Sequence, residues 1–450
     1  MDEKIFKAYD IRGVVPEQLN EDIAYLIGGA IKTVLNAKRI AVGRDVRLSS
    51  KMLEKALVRG LTEAGADVDI LGEISTDALY FAVGKFKYDG GVMITASHNP
   101  PQYNGFKICR ENAIPLSGKS GLPQIKEIVA SGKFPRAEKN GKITEKNIID
   151  DYIAHCLSFI DTSKLIPFKI AVDTGNGVAG IFLPKLFEKL PFEITPLFWE
   201  PDGNFPNHLP SPIEPENTQT LRETVIRKKL DFGVAFDGDA DRMFIVDEKG
   251  QLVGGDIITA MVSRNMLEKY PGSKIVYNLI CSKTVPEIVK KYGGTPIRSR
   301  VGHAFIKPIM REQNAVFGGE HSGHFYFRDN WFADSGLIAF LVVAELLSQE
   351  KKTPSKLIAE MDKYFRTGEI NTRIEDREKT LQCVSQTVSE ETNKEPDTTD
   401  GITFDFGDWW FNLRPSNTEP LIRLNLEASS KKQMDEKKDW ILSIIEKCSG

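Results

Sequence analysis

One serine lies in a stretch where a side chain could carry a reacting group. Ser97 belongs to residues 95–100, which follow an apolar run at 92–94 and end at two successive prolines. Because those prolines cannot continue a strand, we expect Ser97 in a loop, where catalytic side chains are common. A serine hydroxyl is a weak nucleophile and needs a neighbouring base, an anchored cation or a phosphoryl group that it carries. His98 does not decide between these, and a polar turn without chemistry fits the stretch equally well.

Three carboxylates at alternate positions form a second candidate site. Asp237, Asp239 and Asp241 follow an apolar run at 232–236, and the small residues between them leave the backbone of an extended loop unobstructed. Such a loop can turn all three side chains toward one point, and carboxylate oxygens suit a hard cation, Mg²⁺ above all. The alternative is a solvated acidic turn, which does not normally follow a buried strand. An EF-hand is not expected, because the strand-like residues 244–246 interrupt the loop.

Two further loops carry groups that bind polar ligands. Residues 319–324 combine a carboxylate, a hydroxyl and two imidazoles, which could hold sugar hydroxyls, although a structural turn explains them equally well. In residues 414–420 an arginine precedes two hydroxyls and an amide that lie between two prolines. A guanidinium with hydroxyls and free backbone N–H groups suits a phosphate, and the alternative is a hairpin loop bounded by prolines.

The composition narrows the class of protein. The 450 residues are 41% hydrophobic and carry 59 basic and 63 acidic side chains, a formal net charge of -4. This balance lacks the basic face that a nucleic acid or a membrane would need, so we expect neither partner and a local site for any anion. The longest apolar stretch, 337–347, is too short to span a bilayer, and residues 1–4 lack the pattern of a signal peptide, so we expect a cytoplasmic protein.

The cysteines do not indicate a metal or redox site. They are odd in number, lie far apart and include no C-x-x-C pair, so we expect ordinary thiols. The five are Cys109, Cys156, Cys281, Cys383 and Cys448.

An internal repeat organises the first four-fifths of the chain. A short buried strand opens each of three units, at residues 39–43, 169–173 and 274–278. Each unit also contains a second apolar run, at residues 92–94, 232–236 and 315–317. Each of these runs ends in one of the polar loops described above. Helical patterns lie between the strands, and this alternation predicts three similar α/β domains with ligands at the strand ends.

The last part of the chain differs from the repeat. Charged and polar residues follow position 368, and then the aromatic runs 403–406 and 409–411 flank a Gly-Asp pair that predicts a β-hairpin. A strand at 421–426 and a helix at 431–447 complete a small α+β domain. We place the four domains at residues 1–150, 151–255, 256–368 and 369–450.

Together these stretches resemble the α-D-phosphohexomutase superfamily, and within it the bacterial phosphomannomutase/phosphoglucomutase group. The resemblance covers almost the whole chain, and six motifs in the family order make it specific. They lie at residues 9–13, 43–45, 97–107, 237–242, 319–324 and 414–418. The resemblance implies four domains around a central cleft, of which the fourth is similar to the TATA-binding protein.

The resemblance also implies the chemistry. Ser97 would carry a phosphoryl group, and Ser97 with Asp237, Asp239 and Asp241 would hold Mg²⁺, which neutralises the phosphoryl oxygens. The phosphoserine would donate to a hexose monophosphate, giving a hexose 1,6-bisphosphate that turns round and returns its other phosphate. That bisphosphate is therefore both intermediate and activator.

The same resemblance assigns the remaining site residues. Those expected in catalysis besides Ser97 are Arg12, His98, Lys107 and His324. Those expected to bind the phosphosugar are Tyr9, His303, Glu320 and Ser322, with a phosphate clamp of Arg414, Ser416, Asn417 and Thr418.

Other functions remain open. Residues 100–105, the segment 201–208 and Ala240 favour the mannose/glucose group, because phosphoglucosamine mutases tend to have glycine in place of Ala240. A phosphosugar phosphatase could use the same serine and metal, although the phosphate clamp has no use in simple hydrolysis. A non-catalytic phosphosugar-binding protein would have lost the nucleophile or a ligand, which this chain keeps. The oligomeric state and the physiological sugar are not predicted.

Overall fold

Four β-sheets, each built from one consecutive part of the chain, organise the fold. The computed structural model describes residues 2–118, 120–416 and 420–449. Within these residues the sheets have seven, five, five and four strands. The first three mix parallel and antiparallel pairs, and the fourth is antiparallel throughout. The predicted fold class, three α/β domains and a smaller C-terminal α+β domain, is confirmed.

The first sheet has the strand order β1-β5-β4-β2-β3-β7, with β6 paired to β5. Its strands are β1 (Ile11–Val14), β2 (Arg39–Arg44), β3 (Asp67–Glu73), β4 (Gly90–Ile94), β5 (Tyr103–Arg110), β6 (Ile114–Pro115) and β7 (Ile143–Glu145). The helices of this part are α1 (Glu21–Leu35), α2 (Ser50–Glu63), α3 (Thr76–Lys85) and α4 (Leu122–Ser131).

The second and third sheets have the orders β12-β11-β10-β8-β9 and β14-β13-β15-β16-β17. The second part contains α5 (Ile149–Leu157), β8 (Lys169–Asp173), α6 (Ala179–Phe187), β9 (Glu193–Leu197), α7 (Gln219–Lys228), β10 (Phe232–Phe236), β11 (Met243–Val246) and β12 (Leu252–Val253). The third contains α8 (Gly255–Lys269), β13 (Lys274–Asn278), α9 (Thr284–Lys291), β14 (Thr295–Ser299), α10 (His303–Gln313), β15 (Phe317–Gly319), β16 (Phe325–Phe327), β17 (Ala333–Asp334), α11 (Gly336–Glu350) and α12 (Pro354–Met361).

The fourth sheet has the order β18-β21-β20-β19 and includes the predicted hairpin. Its elements are β18 (Phe365–Arg373), α13 (Arg377–Thr392), β19 (Ile402–Asp405), β20 (Trp409–Pro415), β21 (Leu421–Ala428) and α14 (Lys431–Ser449).

The same arrangement of strands recurs in the first three sheets. Strands β4, β10 and β15 each lie parallel to the strand that opens their unit, and each is followed by an antiparallel strand. The loops after these three strands therefore occupy equivalent places, at the carboxyl ends of central strands, where α/β sheets bind ligands. The internal repeat predicted from the sequence is thus present in the fold.

Helix α11 joins the domains through its packing. Residues 336–348 are buried on every side, which is typical of a helix enclosed by protein. Phe340 packs against Phe187, Phe192 and Phe236 of the second domain. Burial of one such phenylalanine contributes about 1.5–3 kcal/mol. At the start of the helix, the Ser335 hydroxyl donates to Asp77 of the first domain at 2.5 Å.

The prediction of five ordinary thiols is wrong for two of the cysteines. Cys383 and Cys448 form a disulfide that joins α13 to α14, and their Cα atoms are 5.7 Å apart. The pairing was not visible in the sequence because 65 residues separate them. Cys109, Cys156 and Cys281 are free and buried. Among the described residues, the helices are all too short or too polar to cross a membrane.

Candidate active site

The loop after β4 meets the loop after β10 at Ser97. The Ser97 hydroxyl donates to Asp237 Oδ2 at 2.8 Å. The two loops touch through their backbones as well, because a Cβ atom at Gly238 would lie 2.5 Å from the carbonyl oxygen of Ser97. Glycine is therefore required at position 238, and the serine predicted as a phosphoryl carrier lies directly against the predicted metal ligands.

The buried side chain of Arg47 holds the backbone of the loop that carries Ser97. Ser97 has a positive φ of 50°, and its N–H donates to Thr95 Oγ1 at 2.8 Å. Arg47 pairs with Asp45 at 3.1 Å and donates to four backbone carbonyls of the loop. These belong to Ser97, Asn99, Pro100 and Tyr103, at 2.6–3.0 Å. Arg47 was not predicted as a site residue, and its only signal in the sequence is its position just after the Gly-Arg-Asp motif at 43–45.

The acidic loop is a tight turn and not the extended loop that was predicted. Ala240 N donates to the carbonyl of Asp237 at 3.1 Å, and Ala240 has a φ of 59°. The turn nevertheless brings the three carboxylates together, since ligand atoms of Asp237, Asp239 and Asp241 all lie within 4.8 Å of one another. All three are buried.

The residues present fit a metal ion. Oδ1 of Asp239 and Oδ1 of Asp241 are buried oxygens without a hydrogen-bond partner among the described residues. Such oxygens are costly unless a cation or donor meets them. Lys107 Nζ contacts the other oxygens of the same two carboxylates, at 2.7 and 2.6 Å. Thr76 Oγ1 also donates to Asp239, at 2.5 Å.

Burial and the neighbouring charges shift the pKa values of Asp237, Asp239 and Lys107. Burial raises the pKa of Asp237. Burial would raise the pKa of Asp239, but the interactions with Lys107, Thr76 and Arg242 together outweigh burial and lower the pKa of that carboxyl. Burial opposes the charge of Lys107, yet Asp239 and Asp241 outweigh it and raise the lysine pKa. The site therefore keeps a protonated lysine beside the ionised carboxylate of Asp239.

Arg242 connects the acidic turn to the serine. Its Nε donates to Asp237 Oδ2 at 2.9 Å and its Nη2 to Ser97 Oγ at 3.2 Å. Arg242 also contacts the His98 ring, whose Nδ1 lies 3.3 Å from Ser97 Oγ. The positive charge of Arg242, together with burial, holds the pKa of His98 well below its usual range. Arg242 was not predicted to have a role, although it directly follows Asp241.

A cavity of about 730 Å³ opens over this cluster. Its wall contains six lysine and arginine side chains but only three aspartates. This excess of basic side chains favours an anionic ligand. The predicted site residues in its wall are Tyr9, Arg12, Ser97, His98, Lys107, Asp241 and His324. Arg12 is held there by Asp10 and Asn99, each at 2.6 Å.

Two of the residues predicted to bind the sugar, Glu320 and Ser322, are not among those that line this cavity. The buried Glu320 carboxylate accepts hydrogen bonds from Asn278 Nδ2 at 3.2 Å, from Gly302 N at 3.0 Å and from the Tyr326 hydroxyl. Ser322 is half-buried in the turn between β15 and β16. The side chain of His303, at the start of α10, is outside the described residues.

A cluster of arginines in the fourth domain surrounds Arg414 and Ser416, two of the four residues of the predicted phosphate clamp. Glu369 accepts from Arg414 Nη2 at 2.7 Å and from Arg423 Nη1 at 2.8 Å. Arg377 Nη1 donates to the carbonyl of Ser416 at 2.5 Å. Arg377 and Arg423 were not predicted, because they belong to other elements than the proline-bounded loop. Two predicted members of the clamp, Asn417 and Thr418, lie outside the described residues.

Comparison with known proteins also finds four domains in the chain. Family profiles for phosphoglucomutase/phosphomannomutase match four parts of the chain. They are α/β/α domain I at residues 3–136, α/β/α domain II at 150–250, α/β/α domain III at 254–364 and the C-terminal domain at 369–443.

Relatives of known sequence and structure match over nearly the full length. The phosphomannomutase of Escherichia coli K12 is 44% identical over 431 residues, 94% of each chain. That of Methanocaldococcus jannaschii is 42% identical over 446 residues, 98% of each chain. The crystal structure of a phosphoglucomutase/phosphomannomutase family protein from Burkholderia thailandensis has a TM-score of 0.91 at 32% identity, with 100% and 99% of the two chains covered. The chain therefore belongs to the phosphoglucomutase/phosphomannomutase family of the α-D-phosphohexomutase superfamily and is a phosphohexomutase enzyme.

Proposed function

We propose that the enzyme interconverts the 1-phosphates and 6-phosphates of mannose and glucose through a phosphoserine at Ser97. The observation that carries this proposal is the Ser97 hydroxyl, which lies between Asp237 and Arg242 in the wall of a cationic cavity. The Escherichia coli relative is called phosphomannomutase, which supports a mannose phosphate as substrate. The Xanthomonas campestris relative is called phosphohexose mutases, which supports a broader range of hexose phosphates.

The first half-reaction transfers the phosphoryl group from the enzyme. A free hydroxyl of the hexose monophosphate attacks phosphorus, the bond to Ser97 Oγ breaks, and the hydroxyl proton passes to a base in the cavity. Arg242 donates to Ser97 Oγ already, so it is placed to stabilise negative charge on the leaving oxygen. Arg12, Lys107 and His324 line the same cavity and are the groups that can stabilise charge or accept the proton.

The second half-reaction repeats the first in reverse with the other phosphate. The hexose 1,6-bisphosphate turns round, Ser97 Oγ attacks its second phosphorus, and the freed sugar hydroxyl takes back a proton. The cavity of about 730 Å³ is within the range of sites that enclose a small molecule. One serine thereby serves both steps, and added bisphosphate would load an unphosphorylated enzyme.

Asp237, Asp239 and Asp241 are the residues that would hold Mg²⁺. When bound, the ion supplies positive charge against the phosphoryl oxygens. The unpartnered buried oxygens of Asp239 and Asp241 support this choice of ligands. Oxygen donors alone, without sulfur or imidazole, suit a hard cation.

The arginine cluster would hold the phosphate that is not reacting. A guanidinium binds phosphate through two parallel bonds, and Arg414 and Arg423 present theirs from neighbouring strands. Glu320 and Ser322 would bind sugar hydroxyls, with Tyr9 and His303 as further contacts.

Intact-mass measurement and a transfer assay test the proposal. We expect a fraction of the purified enzyme to carry one phosphate on Ser97 and to lose it to mannose 1-phosphate or glucose 1-phosphate. Ser97→Ala should lower turnover by roughly 10³-fold or more, as expected for loss of a covalent nucleophile. Ser131→Ala, at an exposed serine, is the matched control. Ordinary turnover by Ser97→Ala would contradict the proposal, and steady release of free phosphate would indicate a phosphatase instead.

A further inference from the structure

We infer that Thr76 is a positioning residue for the metal site, whose hydroxyl holds the Asp239 carboxylate so that Oδ1 is the oxygen presented to the cation. This inference rests on the proposed function, because it takes Asp239 as one of the residues that would hold Mg²⁺. Thr76 belongs to the first domain and was not predicted to have a role, whereas the carboxylate that it contacts belongs to the second domain.

Thr76 contacts Asp239 at two separate points. Its backbone N–H donates to the carbonyl of Asp239 at 3.0 Å, and its hydroxyl donates to Oδ2 of the carboxylate at 2.5 Å. The first contact joins the two domains and does not depend on the side chain at position 76. The second contact belongs to the side chain alone, so a substitution can remove it and leave the first contact in place.

The two oxygens of the Asp239 carboxylate have different surroundings. Oδ2 accepts from Thr76 Oγ1 at 2.5 Å and from Lys107 Nζ at 2.7 Å. Oδ1 is buried and has no hydrogen-bond partner among the described residues. The terminal torsion of an aspartate side chain is broad, so a carboxylate without donors would turn either oxygen toward a cation. Donors on Oδ2 alone therefore decide that Oδ1 is left for the ion.

The place of Thr76 in its helix explains why both of its donors reach another domain. Thr76 is the first residue of α3, where a backbone N–H has no acceptor within the helix. Its hydroxyl has no preceding helical turn to which it could donate, which is the usual partner of a threonine inside a helix. Thr76 and Asp239 are both fully buried, so the contact between them is shielded from bulk water.

The neighbouring residue fixes the start of this helix. The buried Asp77 carboxylate accepts hydrogen bonds from three hydroxyls, those of Ser75, Tyr152 and Ser335. Tyr152 belongs to α5 and Ser335 directly precedes α11, so elements of the second and third domains hold this end of α3. Thr76 is therefore presented to Asp239 from a fixed support, as the orientation of a metal ligand requires.

Calorimetric titration of Mg²⁺ into the full-length, metal-free enzyme tests the inference without turnover. Thr76→Val keeps the shape of the side chain and removes the hydroxyl, so Mg²⁺ should bind roughly tenfold more weakly or worse, as is typical when the partner of a ligand is lost. The preparations are matched in their phosphorylated fraction by intact mass, because a phosphate on Ser97 would also contact the ion.

Kinetics separate a positioning role from a catalytic one. The Mg²⁺ concentration that gives half of the maximal rate should rise in Thr76→Val by the same factor as the dissociation constant. At saturating Mg²⁺, kcat should stay within about threefold of that of the unmodified enzyme, since the bound ion then orders the carboxylate itself.

A second pair of variants separates the hydroxyl from the packing around it. Thr76→Ser should bind Mg²⁺ within about threefold of the unmodified enzyme, whereas Thr76→Ala should bind it as weakly as Thr76→Val does. Both variants lose the methyl group, so any loss of packing is common to the two. Thr224→Val is the matched control, because Thr224 is buried in the second domain and its hydroxyl has no hydrogen-bond partner among the described residues.

Three results would overturn the inference. They are an unchanged Mg²⁺ affinity in Thr76→Val, an equal affinity in Thr76→Ser and Thr76→Ala, and a fall in kcat that saturating Mg²⁺ does not restore. Asp239→Asn, titrated in the same way, keeps this failure apart from that of the proposed function. If Asp239→Asn binds Mg²⁺ more weakly and Thr76→Val does not, only the positioning role fails, and if neither does, the ligand assignment fails with it.

Discussion

Arg242 donates from Nη2 to the hydroxyl of Ser97 over 3.2 Å, although 145 positions separate the two residues in the chain. The same guanidinium holds Asp237 through Nε at 2.9 Å. One planar group therefore fixes the distance between the serine and a predicted metal ligand, and lysine could not make both contacts at once.

Arg242→Lys should lower kcat by roughly 10- to 150-fold, since charge-assisted hydrogen bonds contribute about 1.5–3 kcal/mol. The phosphorylated fraction seen by intact mass should fall as well. Arg222→Lys is the control, because Arg222 lies in the same domain and donates only to the carbonyl of Gly250 among the described contacts. Equal kcat in Arg242→Lys and unmodified enzyme would remove Arg242 from the transfer step.

Asp239→Asn should weaken Mg²⁺ binding and activity together. The change removes one anionic ligand and keeps the shape, and it also takes a charge partner from Lys107. Calorimetric titration of the metal-free enzyme should give a weaker Mg²⁺ affinity, and the rate should need more Mg²⁺ to reach half its maximum. Asp151→Asn, at an exposed position in α5, controls for the loss of charge. An unchanged titration and rate would refute the metal assignment.

Arg414→Lys should raise KM and release bisphosphate into solution. Lysine cannot form the forked contact to phosphate, so the intermediate should escape before it turns round, and kcat/KM should fall roughly 10- to 150-fold. Both mannose 1-phosphate and mannose 6-phosphate should be affected, because the cluster would hold either end of the intermediate. Arg373→Lys, exposed on the same sheet, is the control. A loss confined to one direction, beyond what the overall equilibrium requires, would contradict a shared anchor.

Mannose and glucose 1-phosphates should be used with a selectivity of at most about tenfold, equivalent to ~1.4 kcal/mol. The two sugars differ at the 2-hydroxyl, and the Glu320 carboxylate already accepts three hydrogen bonds from the protein, which leaves little capacity to read that hydroxyl. A panel that includes glucosamine phosphate, each sugar with a trace of its bisphosphate, measures this. A preference above a thousandfold would rule out dual specificity.

The stability contributed by His208 should decrease as the pH rises. Burial opposes its charge, but the hydrogen bond and charge attraction to Asp173, together with the contact to the Leu209 carbonyl, outweigh burial and raise the His208 pKa above 6.5. A raised histidine pKa stabilises the fold below the unfolded value and loses that contribution as the pH passes the folded value. The unfolding free energy lost in His208→Gln should be about 0.5–1 kcal/mol near pH ~6 and should shrink by pH ~8.

His155→Gln provides the matched control for this pH dependence. Burial lowers the pKa of His155, so its charging opposes folding and the difference should have the opposite sign toward low pH. Thermal unfolding of both variants and the unmodified enzyme across this pH range measures the effect. The same pH trend in both variants would show that the Asp173 contact does not matter.

The elements of the fold were largely predictable, because local patterns determine them. The strands at 39–43, 169–173 and 274–278 lie within β2, β8 and β13, and the Gly-Asp pair does connect β19 to β20. Ser97 and the acidic triad were visible for the same reason, since each lies at the end of an apolar run. The tight turn at Ala240 could not be predicted in this way, because alanine rarely adopts a positive φ.

The residues that support the site could not be found in the same way. Arg47, Thr76 and Arg423 act through partners that are distant in the sequence, and a lone basic or hydroxyl residue usually lies on the surface. Thr76 in particular begins a helix whose sequence gives no sign of its contact with Asp239. The disulfide between Cys383 and Cys448 depended in the same way on the packing of two helices.

The contact between Ser97 and Arg242 also sets an order of events during synthesis. At about 5–20 residues per second, roughly 7–30 s pass between the addition of the serine and that of the arginine. In that interval the first domain can fold around Arg47. Ser97, however, does not yet have the acidic turn or the guanidinium of Arg242 beside it. A nascent chain that ends before residue 242 should therefore contain a shaped loop that cannot yet accept phosphate, and the enzyme would become competent only after its second domain has docked.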